Sequence, residues 1–78
     1  MNKKRKEILG IIEEVLINNG IDPLHQEQLE EMDSITYISA LCDLEDRLGI
    51  EMPDELLTKN VFIEIGILAE YLETYMSL

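Results

Sequence analysis

The residues of this chain that could do chemistry are few, and the most suggestive is a serine. Ser34 follows Asp33 in the stretch "EMDSIT", where an apolar-periodic segment begins. Asp and Ser both favour helix starts because a side-chain oxygen accepts a free N–H of the first turn. Position 36 is Thr, so no Glu or Gln completes a capping box with Asp33. The pair predicts a helix start, and a hydroxyl there is well placed to carry a phosphate ester.

A catalytic serine would need a base and an oxyanion site, and the sequence supplies neither. The only histidine, His25, lies in a polar stretch, and no Gly-x-Ser-x-Gly elbow is present. The lone Cys42 is typical of a small apolar helix residue and excludes an internal disulfide. The acidic clusters lack the spacing of a calcium loop. We therefore expect no enzyme activity and no metal site.

Charge is distributed unevenly along the chain. Four of the six cations stand at residues 3 to 6, so residues 7 to 78 hold two cations and all seventeen acids, a formal charge of −15. Such a field repels nucleic acid and anionic membranes and attracts basic protein surfaces. Solubility alone is the simpler explanation of the same acidity. The sequence predicts basic protein partners, with no nucleic acid and no membrane.

The 78 residues make one domain, 1–78, with a modest core. We do not expect the basic start and the apolar residues after it to be a signal peptide or a membrane span, because Glu13 and Glu14 interrupt the apolar run. A single Cys gives no disulfide framework. We expect a cytoplasmic protein that folds by helix packing.

The apolar pattern predicts three principal helices. The first covers residues 3 to 18 and ends before Gly20, the second begins at Asp33 or Ser34 and runs to Leu48 before Gly49, and the last covers roughly residues 64 to 75. Their core faces are the apolar positions spaced three and four apart: Ile8, Ile11, Ile12 and Val15; Tyr37, Ala40, Leu41, Leu44 and Leu48; Ile65, Leu68, Leu72 and Tyr75.

Two shorter segments complete the predicted fold. Residues 21 to 32 show no sustained period and are interpreted as a long ordered loop, which contacts the core through its apolar residues: Ile21, Leu24, Leu29 and Met32. Pro53 marks the start of a short third helix. The expected fold is all-α, a small four-helix bundle with three principal helices, one short helix and a long loop between helices one and two.

The second helix has more apolar surface than a small bundle can bury. Beside its core stripe runs a second strip, flanked by acids, which consists of Ser34, Ile35, Ile38 and Cys42 with Glu45 and Asp46 at its edge. Either the loop of residues 21 to 32 folds back over this strip, or the strip is a contact surface for a basic partner.

Three segments in register resemble the acyl carrier protein family. They are the Asp-Ser-Ile start of the second helix, "GIEMPDE" about fifteen residues later, and "FIEIGILAEYLE" near the end, and the likeness covers essentially the whole chain. The resemblance implies that a phosphopantetheinyl transferase attaches 4′-phosphopantetheine from coenzyme A to Ser34. The arm would then carry acyl groups as thioesters between enzymes of a fatty-acid, polyketide or related pathway.

The resemblance also implies which surfaces are used. The partner face for the transferase and for acyl-loading and acyl-transfer enzymes with basic surfaces would comprise Asp33, Ile35, Ile38, Cys42, Glu45 and Asp46. A folded-back acyl chain would contact Ile38, Leu41 and Ile50. The carrier is expected to be a monomer.

The chain departs from the fatty-acid members of that family at the second helix. Thr36 and Ser39 stand where those carriers usually have acids, which favours a specialised polyketide or peptide pathway. Glu64 stands where relatives often have a Thr or Ser cap. Two alternatives stay open: a free-standing peptidyl or aminoacyl carrier, and a small acidic interaction module in which Ser34 is only a helix cap.

Overall fold

The structure is a computed structural model that describes residues 4–53 and 60–77. Within these ranges the chain forms four α-helices and no strand: α1 Arg5–Asn18, α2 Gln26–Glu30, α3 Ser34–Leu48 and α4 Ile65–Met76. The all-α prediction and the three principal helices are confirmed. The short helix predicted to begin at Pro53 falls on residues 54–59, outside the described residues.

Helix α1 is the centre of the bundle, because it packs against both α3 and α4. Ile8, Ile12 and Val15 of its predicted face are fully buried, and Ile11 is half-buried. Gly20 then adopts φ 79° just beyond the helix, a left-handed conformation that glycine takes without a Cβ penalty. The predicted first helix and its stop are therefore confirmed, with a start at Arg5 rather than residue 3.

The other long helices bury the stripes that their periods predict. Gly49 ends α3 with φ 68°, and its N–H donates to the Glu45 carbonyl at 2.8 Å. The stripe residues Tyr37, Leu41, Ile65 and Tyr75 are half-buried at the edge of the core. The fully or nearly buried core comprises Ile8, Ile12, Val15, Leu16, Leu29, Ala40, Leu44, Leu48, Met52, Phe62, Leu68, Ala69 and Leu72.

The segment between α1 and α3 contains a helix, so its interpretation as a loop throughout was wrong. The Asp22 carboxylate accepts from the Leu24 N–H at 2.9 Å, and the Gln28 side chain accepts from the Asp22 N–H at 2.8 Å, which fixes the turn before α2. Leu29 is buried as predicted, whereas Leu24 is 86% exposed and does not contact the core as expected. A five-residue helix with one buried side chain shows no detectable period.

Residues 60–64 connect α2 to the rest of the bundle. The Asn60 amide donates to the Leu29 carbonyl at 2.8 Å, and its oxygen accepts from the Phe62 N–H at 2.8 Å. Phe62 is fully buried and meets Tyr37 edge-on, with ring centroids 5.9 Å apart. This packing fixes the N-terminal half of α3, where the candidate site lies.

Candidate functional site

The N-terminus of α3 presents Ser34 to solvent. Asp33 is the N-cap residue, and its Oδ1 accepts from the Thr36 N–H at 2.7 Å. That hydrogen bond favours the carboxylate and holds the pKa of Asp33 below its ordinary value. Ser34 is the first helical residue and is exposed, and its hydroxyl makes no hydrogen bond with a described residue. Among the described residues, Asp33 therefore supplies the side-chain cap of α3, and the Ser34 hydroxyl takes no part in it.

The second apolar strip of α3 is accessible. Ile35 is 83% exposed and Ile38 is 58% exposed, and Cys42 is exposed as well. At about 100° per residue, Ile35 lies farther around the helix from the core stripe than Ile38, which explains the difference. The loop of residues 21 to 32 therefore does not bury this strip, and the first of the two alternatives is wrong.

The acids around the strip differ in their surroundings. Asp46 is exposed and makes no hydrogen bond or ion pair with the part of the chain that the structure describes. Glu45 is half-buried, and its carboxylate accepts from the Met52 N–H at 2.6 Å. The Ser39 hydroxyl donates to the Asn19 side-chain oxygen at 2.8 Å, and the Asn19 amide reaches the Asp43 carboxylate at 3.4 Å.

The six predicted partner-face residues lie on one helix and its cap, but their surroundings differ. Asp33 and Glu45 are engaged within the chain, while Asp46 and the apolar side chains face solvent. The sequence did not predict the hydrogen bonds that Asn19 and Met52 make with polar side chains of α3. No local pattern marks either one, because each contact joins segments that are separate in the chain.

A surface groove lies away from α3, at the start of α4. It has a volume of about 280 Å³, and its apolar wall includes Val61, Ile63, Ile67 and Tyr71. Ile67 is 61% exposed. The residues expected to contact a folded-back acyl chain are elsewhere: Leu41 and Ile50 are half-buried and Ile38 is exposed. The sequence did not predict this groove, although Ile67 stands off the core period of its helix.

Two further properties follow from the described residues. Across residues 4–53 and 60–77, no group of three His, Cys, Asp or Glu side chains is arranged to hold a metal ion. None of the helices described is both long enough and apolar enough to cross a membrane.

Comparison of the chain with protein-family models, with curated proteins and with solved structures finds no match.

Proposed function

We propose that this protein is an acyl carrier, which holds acyl intermediates as thioesters on a 4′-phosphopantetheine arm attached to Ser34. It would pass them between enzymes of a fatty-acid, polyketide or related biosynthetic pathway and would catalyse no reaction itself. The observation that carries the proposal is the exposed Ser34 hydroxyl at the start of α3, beside an apolar strip that the fold leaves open.

The capping geometry supports this proposal over a purely structural serine. In the rival interaction module, Ser34 serves only as a helix cap. The capping hydrogen bond, however, runs from the Thr36 N–H to Asp33, and the Ser34 hydroxyl has no hydrogen-bond partner among the described residues. A residue with no local structural task at an exposed helix start is suited to modification.

The residues present fit the proposed group. A phosphate ester on Ser34 would lie at the N-terminus of a 15-residue helix, where the helix dipole and free N–H groups favour negative charge. The Asp33 carboxylate opposes that charge but is accessible to water, which screens the repulsion. When bound, the arm supplies the thiol that forms the thioester.

The partners proposed are a phosphopantetheinyl transferase and acyl-loading and acyl-transfer enzymes with basic surfaces. The exposed Ile35 and Ile38 supply an apolar contact, and the formal charge of −11 supplies long-range attraction to basic proteins. The same charge opposes association between copies of the chain, which supports a monomer. A cytoplasmic location belongs to the proposal because coenzyme A and the transferase would be supplied there.

The test is direct attachment. The full-length chain is incubated with coenzyme A and a broad-specificity phosphopantetheinyl transferase, and its intact mass is recorded. We expect the wild type to gain one phosphopantetheinyl group, Ser34→Ala to gain none, and Ser39→Ala, an exposed serine of the same helix, to react like the wild type. An unmodified wild type, or equal addition to Ser34→Ala, would sink the carrier proposal.

A peptidyl or aminoacyl carrier is the second candidate, favoured by one feature of α3. Ser39 stands where fatty-acid carriers usually have an acid, and its hydroxyl is bonded to Asn19. The two candidates differ in the enzyme that loads the arm. Loading by an amino-acid-activating enzyme, with no loading by an acyl-activating one, would select the aminoacyl carrier.

A further inference from the structure

The end of α1 contains an asparagine that is prone to spontaneous chemistry. Asparagine stands at positions 2, 18, 19 and 60, and only Asn19 is followed by glycine. Such a pair loses ammonia readily, because glycine has no side chain to hinder attack by its own backbone nitrogen on the asparagine amide. Gly20 is exposed, and a Cβ atom placed there would meet nothing within 4 Å. Apart from its chain neighbours, no described residue crowds this position.

Hydrogen bonds hold the side chain of Asn19 in place. Its amide nitrogen donates to the Val15 carbonyl at 2.8 Å and to the Asp43 carboxylate at 3.4 Å. Its oxygen accepts from the Ser39 hydroxyl at 2.8 Å, and the residue is half-buried. Both ends of the amide group are therefore engaged, one with α1 and α3 and the other with α3.

The backbone of the pair is held as well. Asn19 has φ −103° and ψ 15°, and the Gly20 N–H donates to the Ile17 carbonyl at 3.0 Å. Loss of ammonia requires the Gly20 nitrogen to lose its proton and to meet the side-chain carbonyl carbon of Asn19. That approach needs rotation about ψ, which breaks the hydrogen bond to Ile17. The reaction therefore needs a local opening of the end of α1.

We propose that Asn19 is a deamidation site which the fold restrains, and that its product weakens the contact between α1 and α3. The Gly20 nitrogen forms a bond to the side-chain carbonyl carbon of Asn19, and the bond from that carbon to the amide nitrogen breaks. The Gly20 proton leaves with that nitrogen as ammonia, and a succinimide ring remains. Water then opens the ring at either carbonyl, which gives aspartate or isoaspartate at position 19. This modification does not depend on the carrier function.

The product cannot repeat the contacts of the amide. An ionised carboxylate has no hydrogen to donate, so it would face the Val15 carbonyl and the Asp43 carboxylate as a further acceptor. It would also place a negative charge at the C-terminus of α1, where the helix dipole disfavours it. Isoaspartate adds one carbon to the backbone just before the Ile21 N–H, which donates to the Leu16 carbonyl at 2.9 Å. Either product should therefore loosen this end of the bundle.

Intact mass and peptide mapping test the site. The full-length chain is incubated at neutral pH in buffer and in guanidinium chloride that unfolds it. Isoaspartate is counted by methyl transfer from S-adenosylmethionine with an isoaspartate methyltransferase. We expect the unfolded chain to exchange the Asn19 amide for an acid at least about tenfold faster than the native chain, because opening limits the native rate.

Two variants show which asparagine reacts. Asn19→Gln should remove this fast reaction from the unfolded chain, because the longer side chain closes a ring less readily. Asn18→Gln changes the exposed asparagine next to it and should react like the wild type in both states.

Asn19→Asp isolates the effect of the product on the fold. It should lower Tm by about 4–8 °C, the shift expected for the loss of one hydrogen bond in a domain of this size. In the Asp43→Asn background the loss should be smaller, because the facing charge is gone. In the Glu27→Gln background it should be unchanged, since that exposed acid of α2 alters the net charge equally.

Each part of the proposal can fail separately. An unfolded chain that keeps its amides, or a product at a residue other than Asn19, would overturn the site. Equal rates in the native and unfolded chains would refute the restraint by the fold, and an Asn19→Asp variant as stable as the wild type would refute the weakened contact. Attachment to Ser34 is measured in its own assay, so neither result decides the other.

Discussion

Helix α3 has two apolar faces of similar composition, one packed into the core and the other exposed to solvent. One contains Ala40 and Leu44, which are fully buried against the core, and the other contains Ile35 and Ile38, which are largely exposed. The free energy of burial depends on area removed from water, so only the first face contributes substantially to stability. The second face is free to contact another molecule, and substitutions there separate binding from folding.

The largest effect should come from matched truncations on the two faces. Leu44→Ala removes a fully buried side chain and should lower the free energy of unfolding by about 2–5 kcal/mol. Ile35→Ala removes a side chain that is 83% exposed and should change it by no more than about 0.5 kcal/mol. Urea unfolding followed by circular dichroism measures both. Equal losses would show that the two faces do not differ as described.

The second apolar face of α3, which contains Ile35 and Ile38, is called the open face here. A charge placed on this open face should affect binding rather than folding. Ile38→Asp should reduce phosphopantetheine transfer by about tenfold or more at low enzyme concentration, because it introduces a polar group at the centre of the contact. Its far-ultraviolet circular dichroism should stay close to that of the wild type, since Ile38 is 58% exposed.

Ile67→Asp provides the control for that variant, because Ile67 is 61% exposed but lies on α4. It makes the same substitution at a similar exposure and away from the open face. Transfer to Ile67→Asp should match the wild type. Normal transfer to Ile38→Asp, or an equal loss in both variants, would count against the open face of α3 as the contact surface.

The smallest effect concerns the cap of α3 and its dependence on pH. The hydrogen bond from the Thr36 N–H lowers the folded-state pKa of Asp33 below its ordinary value of 3.8. A lowered folded pKa contributes stability above the unfolded value, and this contribution is lost as the pH falls through the folded value. Asp33→Asn keeps an oxygen acceptor for the cap but does not titrate.

The Tm difference between the wild type and Asp33→Asn is measured from about pH 6 down to about pH 2. It isolates the titration of Asp33, because every other acid is present in both proteins. We expect the wild type to be favoured more at pH 6, with the difference declining below about pH 4. A difference that stays constant across the range would show that the charge of Asp33 does not contribute to the cap.

The long helices and the surplus of apolar surface on α3 could be predicted because each depends on a pattern within one segment. Ile8, Ile12 and Val15 repeat with the helical period, and Gly49 takes a conformation that favours glycine. The helix α2 and the exposure of Leu24 could not be predicted, since a short turn-flanked segment has no period. The family resemblance and the role of Ser34 stay predictions for the attachment experiment.

The sequence by itself determined the all-α class, the C-terminal ends of α1 and α3, a helix start at Asp33 or Ser34 and the surplus of apolar surface beside Ser34. These depend on local periodicity and on conformational preferences of single residues. Only the tertiary structure decided that the strip stays uncovered and that Glu45 accepts a hydrogen bond from Met52, while Asp46 has no hydrogen bond or ion pair with a described residue. Whether a side chain meets solvent or another segment depends on packing between elements, which the spacing of residues within one helix does not specify.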